Sequence, residues 1–178
     1  MAVRTKTEIV LEQRFDPRAC RHSLNGRDVV LHCHHFVSLY TQLADDCALL
    51  DAKRLLAEVA EDAFGAALAD YYAQHGINSI ADRFDIATQY YAACGLGRMH
   101  VRCAGPDSGS VELERSHVDE GWIAKWGQRP EPVNFITQGF IGGMFAAVMG
   151  RPPRSFRVSE TASIVSGAER SLFEIVAQ

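Results

Sequence analysis

Hydrophobic and polar positions along the chain change period several times, and each change marks an element. Thr5 to Phe15 alternates apolar and polar residues, the period-two pattern of a strand. Arg21 to Leu31 carries Asn25-Gly26 between two short apolar runs, and both turn positions of a tight hairpin need the positive φ that Asn and Gly supply. From about Val30 the residues Cys33, Phe36, Val37, Tyr40, Ala44 and Cys47 recur at three- and four-residue steps, which predicts a helix with one buried stripe. A second helix is predicted from about Asp51 to His75, with apolar positions that include Leu55, Val59, Ala63, Ala67 and Tyr71 and with Gly76 as its stop. Ser79 with Asp82 three residues on resembles a capping box and starts a third helix ending near Gly95.

The period then returns to two. Arg98 to Cys103 places Met99, Val101 and Cys103 on one face; after a loop at Gly105 to Gly109, Val111 and Leu113 alternate with Glu112 and Glu114. Asp119 to Lys125 reads as a short helical turn bearing Trp122 and Trp126, and Val133 to Met149 as a long helix closed by Gly150 and Pro152. Phe156 to Ile164 and Ser171 to Val176 are the last two strands, with a turn at Ser166 to Glu169. Strands and helices fall in separate blocks, with no repeat, linker or low-complexity run. The expected fold is α+β, an antiparallel sheet packed against about four helices, in one domain over residues 1–178.

Composition narrows the function. With 178 residues, 47% hydrophobic and 22% charged, the chain can bury a full core. A net charge of −4 with scattered positive residues gives no footprint for nucleic acid. No apolar run reaches the ~20 residues that span a bilayer, and the N-terminus lacks the apolar core of a secretory signal, so a cytoplasmic location is expected. Five cysteines without a Cys-x-x-Cys spacing exclude a disulfide scaffold and read as small apolar residues.

Two clusters carry candidate chemistry. Leu31-His32-Cys33-His34-His35-Phe36 concentrates imidazole and thiol, ligands that suit zinc, iron or copper. On a helix His32 and His35 share a face, and His117 is the preferred third ligand, with Cys33 in reserve; His100 and Cys103 are further candidates. The competing reading is that these histidines hydrogen-bond to backbone or line a pocket. Gly139-Phe140-Ile141-Gly142-Gly143-Met144-Phe145 places three glycines inside a helix, each costing ~1 kcal/mol relative to alanine. Either another backbone packs closely there or a ligand does. The pairs Asp45-Asp46 and Glu61-Asp62 read as solvated helix faces, and Glu160 as a ligand-site acid or a plain edge residue.

Ser116 through Trp126, Phe135 through Gly143, Val158-Ser159-Glu160-Thr161 and Ser171 through Ile175 resemble the 4-vinyl reductase (V4R) domain. The matched motifs lie within residues 98–178, and the helices and hairpin of residues 1–97 come in the right order for the remainder. Members of that family bind small molecules: they occur as phenol or hydrocarbon sensors in bacterial regulators and in a bacteriochlorophyll-pathway protein. Their fold is similar to haem nitric-oxide sensors and to a vesicle-tethering subunit with an acyl-chain tunnel. The resemblance implies an enclosed pocket for an apolar or planar ligand (hydrocarbon, aromatic or tetrapyrrole-like), here expected to be lined by Phe36, Tyr40, Trp122, Phe140, Gly143 and Met144, and a homodimer. Zinc-binding members carry two cysteines in the last hairpin; here Ser163 and Ser171 stand in both places, and neutral hydroxyls are poor zinc ligands. Two alternatives remain. One is a metal- or haem-dependent enzyme or subunit using His32, His35 and His117, with zinc, iron or haem as cofactor. The other is an interaction module taking a lipid chain or a partner helix.

Overall fold

The computed structural model describes residues 6–47 and 49–178. Among the described residues there are two antiparallel sheets, five α-helices and one short 3-10 helix (Ile164–Ser166), an α+β architecture. A small sheet of β1 (Gln13–Asp16), β2 (Arg21–Leu24) and β3 (Arg27–Val29) comes first. Asn25 and Gly26 have φ of 49° and 77°, the left-handed pair that the hairpin turn requires. The long N-terminal strand is not formed: only Gln13–Asp16 is strand, Thr5 lies outside the described residues, and the stretch before β1 bonds to helix side chains instead. The backbone N–H of Ile9 donates to Gln89 Oε1 (3.1 Å) and that of Val10 to Tyr71 Oη (2.8 Å). Period-two alternation therefore reflects a chain laid across helices, not a ladder.

The helices are α1 (His34–Asp46), α2 (Ala52–Gln74), α3 (Ile80–Ala93), α4 (His117–Trp126) and α5 (Phe135–Met149). Ser79 caps α3, its Oγ accepting from the Asp82 N–H, and Gly150 closes α5 at φ 65°. The Trp-bearing turn is a full ten-residue helix, because Ser116 caps it by accepting from the Asp119 N–H at 3.1 Å. The main sheet runs β4 (Gly97–Ala104), β5 (Ser108–Ser116), β7 (Ser171–Ala177), β6 (Phe156–Ala162), all antiparallel. Inward residues alternate as the pleat demands: Val111 and Leu113 on β5, Phe173 and Ile175 on β7, Phe156 on β6.

α5 is the centre of the molecule. Eleven of its fifteen residues are buried, so it has no solvent face and packs on both the sheet and α2. Phe140 and Phe145 stand edge-on to Tyr91, Phe64, Phe84 and Phe156, with ring centroids 4.8–5.6 Å apart. A second, smaller core of Val118, Trp122, Val133 and Val165 lies under α4.

Three sequence expectations are corrected. The predicted α1 stripe holds only in part: Ala44 is buried, Val37 packs against the second core and Cys47 is half-buried, but Phe36 and Tyr40 are 52% and 41% exposed, and Ser38 and Thr41 face inward instead. The close approach of α4 is the reason, since a Cβ on Gly121 would stand 2.9 Å from Ser38 Oγ, space that admits only small side chains. On α2, Leu55, Val59 and Ala63 face outward, and Ala60, Leu68 and Tyr72 join Ala67 and Tyr71 inside. The cysteines are not core: Cys20, Cys33, Cys94 and Cys103 are exposed and Cys47 is half-buried.

The glycines of α5 are accounted for by a helix crossing. A Cβ on Gly139 would lie 2.0 Å from the Ala57 carbonyl oxygen, and one on Gly143 2.6 Å from that of Glu61. Gly65 of α2 meets Gly143 from the other side, its added Cβ 3.3 Å from the Gly143 Cα. Gly139→Ala will lower stability by about 1–3 kcal/mol despite the better helix propensity of alanine, because the obstacle is backbone. Gly142→Ala, whose Cβ meets the Glu61 side chain at 3.3 Å and no backbone atom as near, will cost less. Urea unfolding of the two variants checks the order.

Candidate functional site

Where α4, α5 and the last hairpin converge, six polar side chains are gathered among apolar ones. Asp119 is fully buried on the first turn of α4. Its Oδ1 accepts from Ser163 Oγ (3.3 Å) and the Val165 N–H (3.2 Å); its Oδ2 accepts from Asn134 Nδ2 (2.8 Å) and Ser171 Oγ (3.2 Å). Asn134 Nδ2 also donates to Glu160 Oε1 at 2.8 Å, and Asn134 Oδ1 accepts from Ser116 Oγ at 3.0 Å. Glu160 Oε2 is buried and has no hydrogen-bond partner. One layer away, Tyr91 Oη and Thr137 Oγ1 share a buried 2.9 Å hydrogen bond.

Strand pleat explains the convergence. On β6 the inward positions are Phe156, Val158 and Glu160, and on β7 Ser171, Phe173 and Ile175, so a carboxyl and a hydroxyl occupy core-facing sites. Glu160 thus lies on an edge strand of the sheet, with its side chain turned inward. Burial raises the Glu160 carboxyl to about 7; the polar Ser163 and Asn134 side chains beside it pull it down, and the nearby Asp119 pushes it up again. The Tyr91 hydroxyl is pushed above its usual range, by burial first and then, against the Thr137 hydrogen bond, by Asp119 and Glu160.

This donor set does not fit zinc. Both serine hydroxyls donate to Asp119, both Asp119 oxygens are engaged, and neither thiolate nor imidazole is present. A hydrogen-bonded buckle holds the last hairpin to α4 and α5.

The histidine segment is arranged differently from its sequence spacing. α1 begins at His34, so His32 lies ahead of the helix, its ring 5.7 Å from Phe36 and 5.8 Å from Tyr40. His35 lies with its Nδ1 3.9 Å from Cys33 Sγ, and His34, not His32, faces His117 at 5.9 Å between ring centroids. Burial and the neighbouring His34 lower the pKa of His117. Among the described residues no group of three or more His, Cys, Asp or Glu side chains is arranged to hold a metal ion. His100 pairs with Glu114 at 3.0 Å on the sheet surface.

The expected ligand residues fall in separate places. Phe140 and Met144 are wholly buried in the main core, Trp122 belongs to the core under α4, and Phe36 and Tyr40 are on the surface. Gly143 lines a groove of about 350 Å³ between α2 and α5. Its walls are Gly65, Ala66, Ala69, Ala146 and Ala147, and its rim carries Glu61, Asp62 and Arg151. Glu61 is not solvated: it is buried, burial raises its pKa, and its Oε1 accepts from the Arg154 N–H at 2.6 Å. Asp62 pairs with the Arg154 guanidinium, and Asp45 with Lys53 and Arg129. Alanine and glycine residues on adjoining helix faces are the sequence signal for this groove.

No protein-family model and no curated protein matches the sequence. Solved structures do match the fold. The phenol-responsive sensory domain of the transcription activator PoxR, crystallised with phenol, is similar over 93% of this chain and 84% of its own, at a TM-score of 0.77 and 15% identity. A vinyl-4-reductase family protein from Methanocaldococcus jannaschii is similar over 84% of each chain, at 0.56 and 12%. A trafficking protein particle complex subunit 3 from Naegleria fowleri, covalently bound to palmitic acid, is similar over 82% of this chain and 94% of its own, at 0.54 and 13%. The chain shares the fold of these proteins. Among the described residues no helix is long and apolar enough to cross a membrane.

The buckle makes stability depend on pH. Glu160 has a folded pKa of about 7, above the ordinary carboxyl value, so the folded state holds its proton more tightly than the unfolded chain. Its contribution is complete below about pH 4 and is lost as pH rises towards 7, amounting to a few kcal/mol. Glu160→Gln, which keeps shape without charge, will be more stable than wild type at pH 8, and the gap will close towards pH 5. Denaturant midpoints across pH measure this.

Proposed function

We propose that this domain binds a small hydrocarbon or aromatic molecule in the groove between α2 and α5. The observation that carries the reading is the groove itself: about 350 Å³, walled by alanine and glycine, with charge confined to its rim. An apolar ligand placed there gains by leaving water, and the carboxylates and Arg151 at the mouth suit a ligand with one polar edge. The PoxR sensory domain with phenol and the palmitic-acid-bound trafficking subunit, both of similar fold, favour small-molecule binding in general. The domain works as a homodimer in this reading. Ala66 is exposed on α2, so Ala66→Trp will fill the groove and leave the fold intact. By calorimetric titration with phenol and with benzene, wild type will bind at least one of them and Ala66→Trp at least ~10-fold more weakly, since a desolvated aromatic contact is worth more than 1.4 kcal/mol. Equal affinity in both proteins would move the site elsewhere; no binding of either probe would count against the ligand class.

A second reading, a metal-dependent enzyme or enzyme subunit, is favoured by one observation, the approach of His34 to His117. Two imidazoles leave open positions on an ion for water or substrate. On this reading purified protein carries about one equivalent of zinc or iron, or a haem band, and folded His117→Ala loses it. Metal-free wild type would contradict it.

A further inference from the structure

At one end the groove between α2 and α5 meets a second groove on the same seam. Both helices advance the same way there: Gly139 lies against Ala57, and Gly143 against Glu61 and Gly65. The second groove, of about 300 Å³, has Ala57, Gly139, Gly142 and Val158 among its walls. On α5 the neighbours Gly142 and Gly143 line the second groove and the first, and on α2 Glu61 lines both. The two spaces therefore lie end to end.

The turn after α5 stands between them. Its Pro153 lines the first groove and its Arg154 the second. From this turn Arg154 crosses to α2 by three hydrogen bonds. Its backbone N–H donates to Glu61 Oε1 at 2.6 Å; its guanidinium donates twice to Asp62, Nη2 to Oδ2 at 2.8 Å and Nη1 to Oδ1. Paired bonds of this kind fix direction as well as distance. Glu61 is buried, so one foot of the crossing is anchored in the seam itself.

The backbone singles out the same residue. Arg154 has a φ of 65°. A proline followed by a positive φ matches a type II turn, whose third position favours glycine. An arginine held there is strained, and its contacts to α2 offset the strain. Glycine would complete the turn but not the crossing.

We infer that Arg154 sets the length of ligand that the α2–α5 groove accepts: its crossing to Glu61 and Asp62 closes one end and restricts the groove to a single-ring molecule against its long alkyl derivatives. The inference rests on the groove reading above and adds the residue that limits the ligand. The stop acts through burial, since each methylene that leaves water is worth about fourfold in affinity. With the crossing in place, an alkyl tail on the ring meets Arg154, turns out into water and gains little. With the crossing removed, the tail enters the second groove and is buried between Ala57, Gly139 and Val158.

The experiment is calorimetric titration of the full chain with phenol and its para-ethyl, para-butyl and para-hexyl derivatives, on proteins shown to be folded by thermal unfolding. Each protein is read against its own affinity for phenol. In wild type the para-hexyl compound will bind no more than ~3-fold tighter than the para-ethyl compound. Arg154→Asn and Arg154→Gly both accept a positive φ and are too short to reach Asp62. In these two variants the same step of four methylenes will gain at least ~50-fold. Arg154→Lys keeps a donor long enough for Asp62 and will follow wild type. A steep rise in wild type, a flat series in both short variants, or a lysine variant that rises as they do overturns the inference and leaves the groove reading standing. Binding of no member of the series by any of these proteins overturns the groove reading and the inference with it.

Discussion

The distance between α2 and α5 sets the rest of the structure. Gly139 and Gly143 let the Ala57 and Glu61 carbonyls approach α5 to where no side chain fits, and Gly65 clears the same crossing from the other side. With α2 held so close, α5 is enclosed between it and the sheet, and Phe140, Met144 and Phe145 fill the core with no exposed face. The small residues that permit the crossing also leave the apolar groove beside it, since Ala66, Ala69, Ala146 and Ala147 line it without filling it. Packing constraint and candidate site are therefore one feature of sequence.

The buried polar buckle is the second constraint. Asp119, Asn134, Ser163 and Ser171 satisfy one another, and in doing so fix the last hairpin to two helices. Asp119 accepts four hydrogen bonds, but Glu160 is left with one oxygen unpaired, and burial holds its proton more tightly than in an ordinary carboxyl. A hydrogen-bonded cluster of this kind serves the structural purpose of a metal clip while remaining sensitive to pH.

Much of the fold was legible in the sequence because local rules agreed with tertiary packing. Asn25-Gly26 turned the hairpin, Ser79 and Ser116 capped their helices, and alternation marked β4 to β7. Reading failed where periodicity has two solutions. On α1 the apolar stripe splits: Val37 and Ala44 turn inward with Ser38 and Thr41, Phe36 and Tyr40 face water, and the approach of Gly121 decides between them. That choice moved Phe36 and Tyr40 from the expected pocket to the surface and turned His34, not His32, to His117. Glu160 and Ser171 were visible as polar residues at core-facing pleat positions, but their meeting with Asp119 and Asn134 needed the topology β5-β7-β6. Small residues give no hydrophobic signal, so the groove was legible only as an unexplained excess of glycine in a helix.

The most direct test of the central claim is a backbone amide chemical-shift titration of the full chain with benzene and with phenol. The account predicts that the saturating shifts centre on Gly65, Ala66, Ala69, Gly143 and Ala147, with residues of the buckle moving less. Shifts centred instead on Trp122, Tyr91 and Glu160, or no saturable shift with either probe, would contradict it.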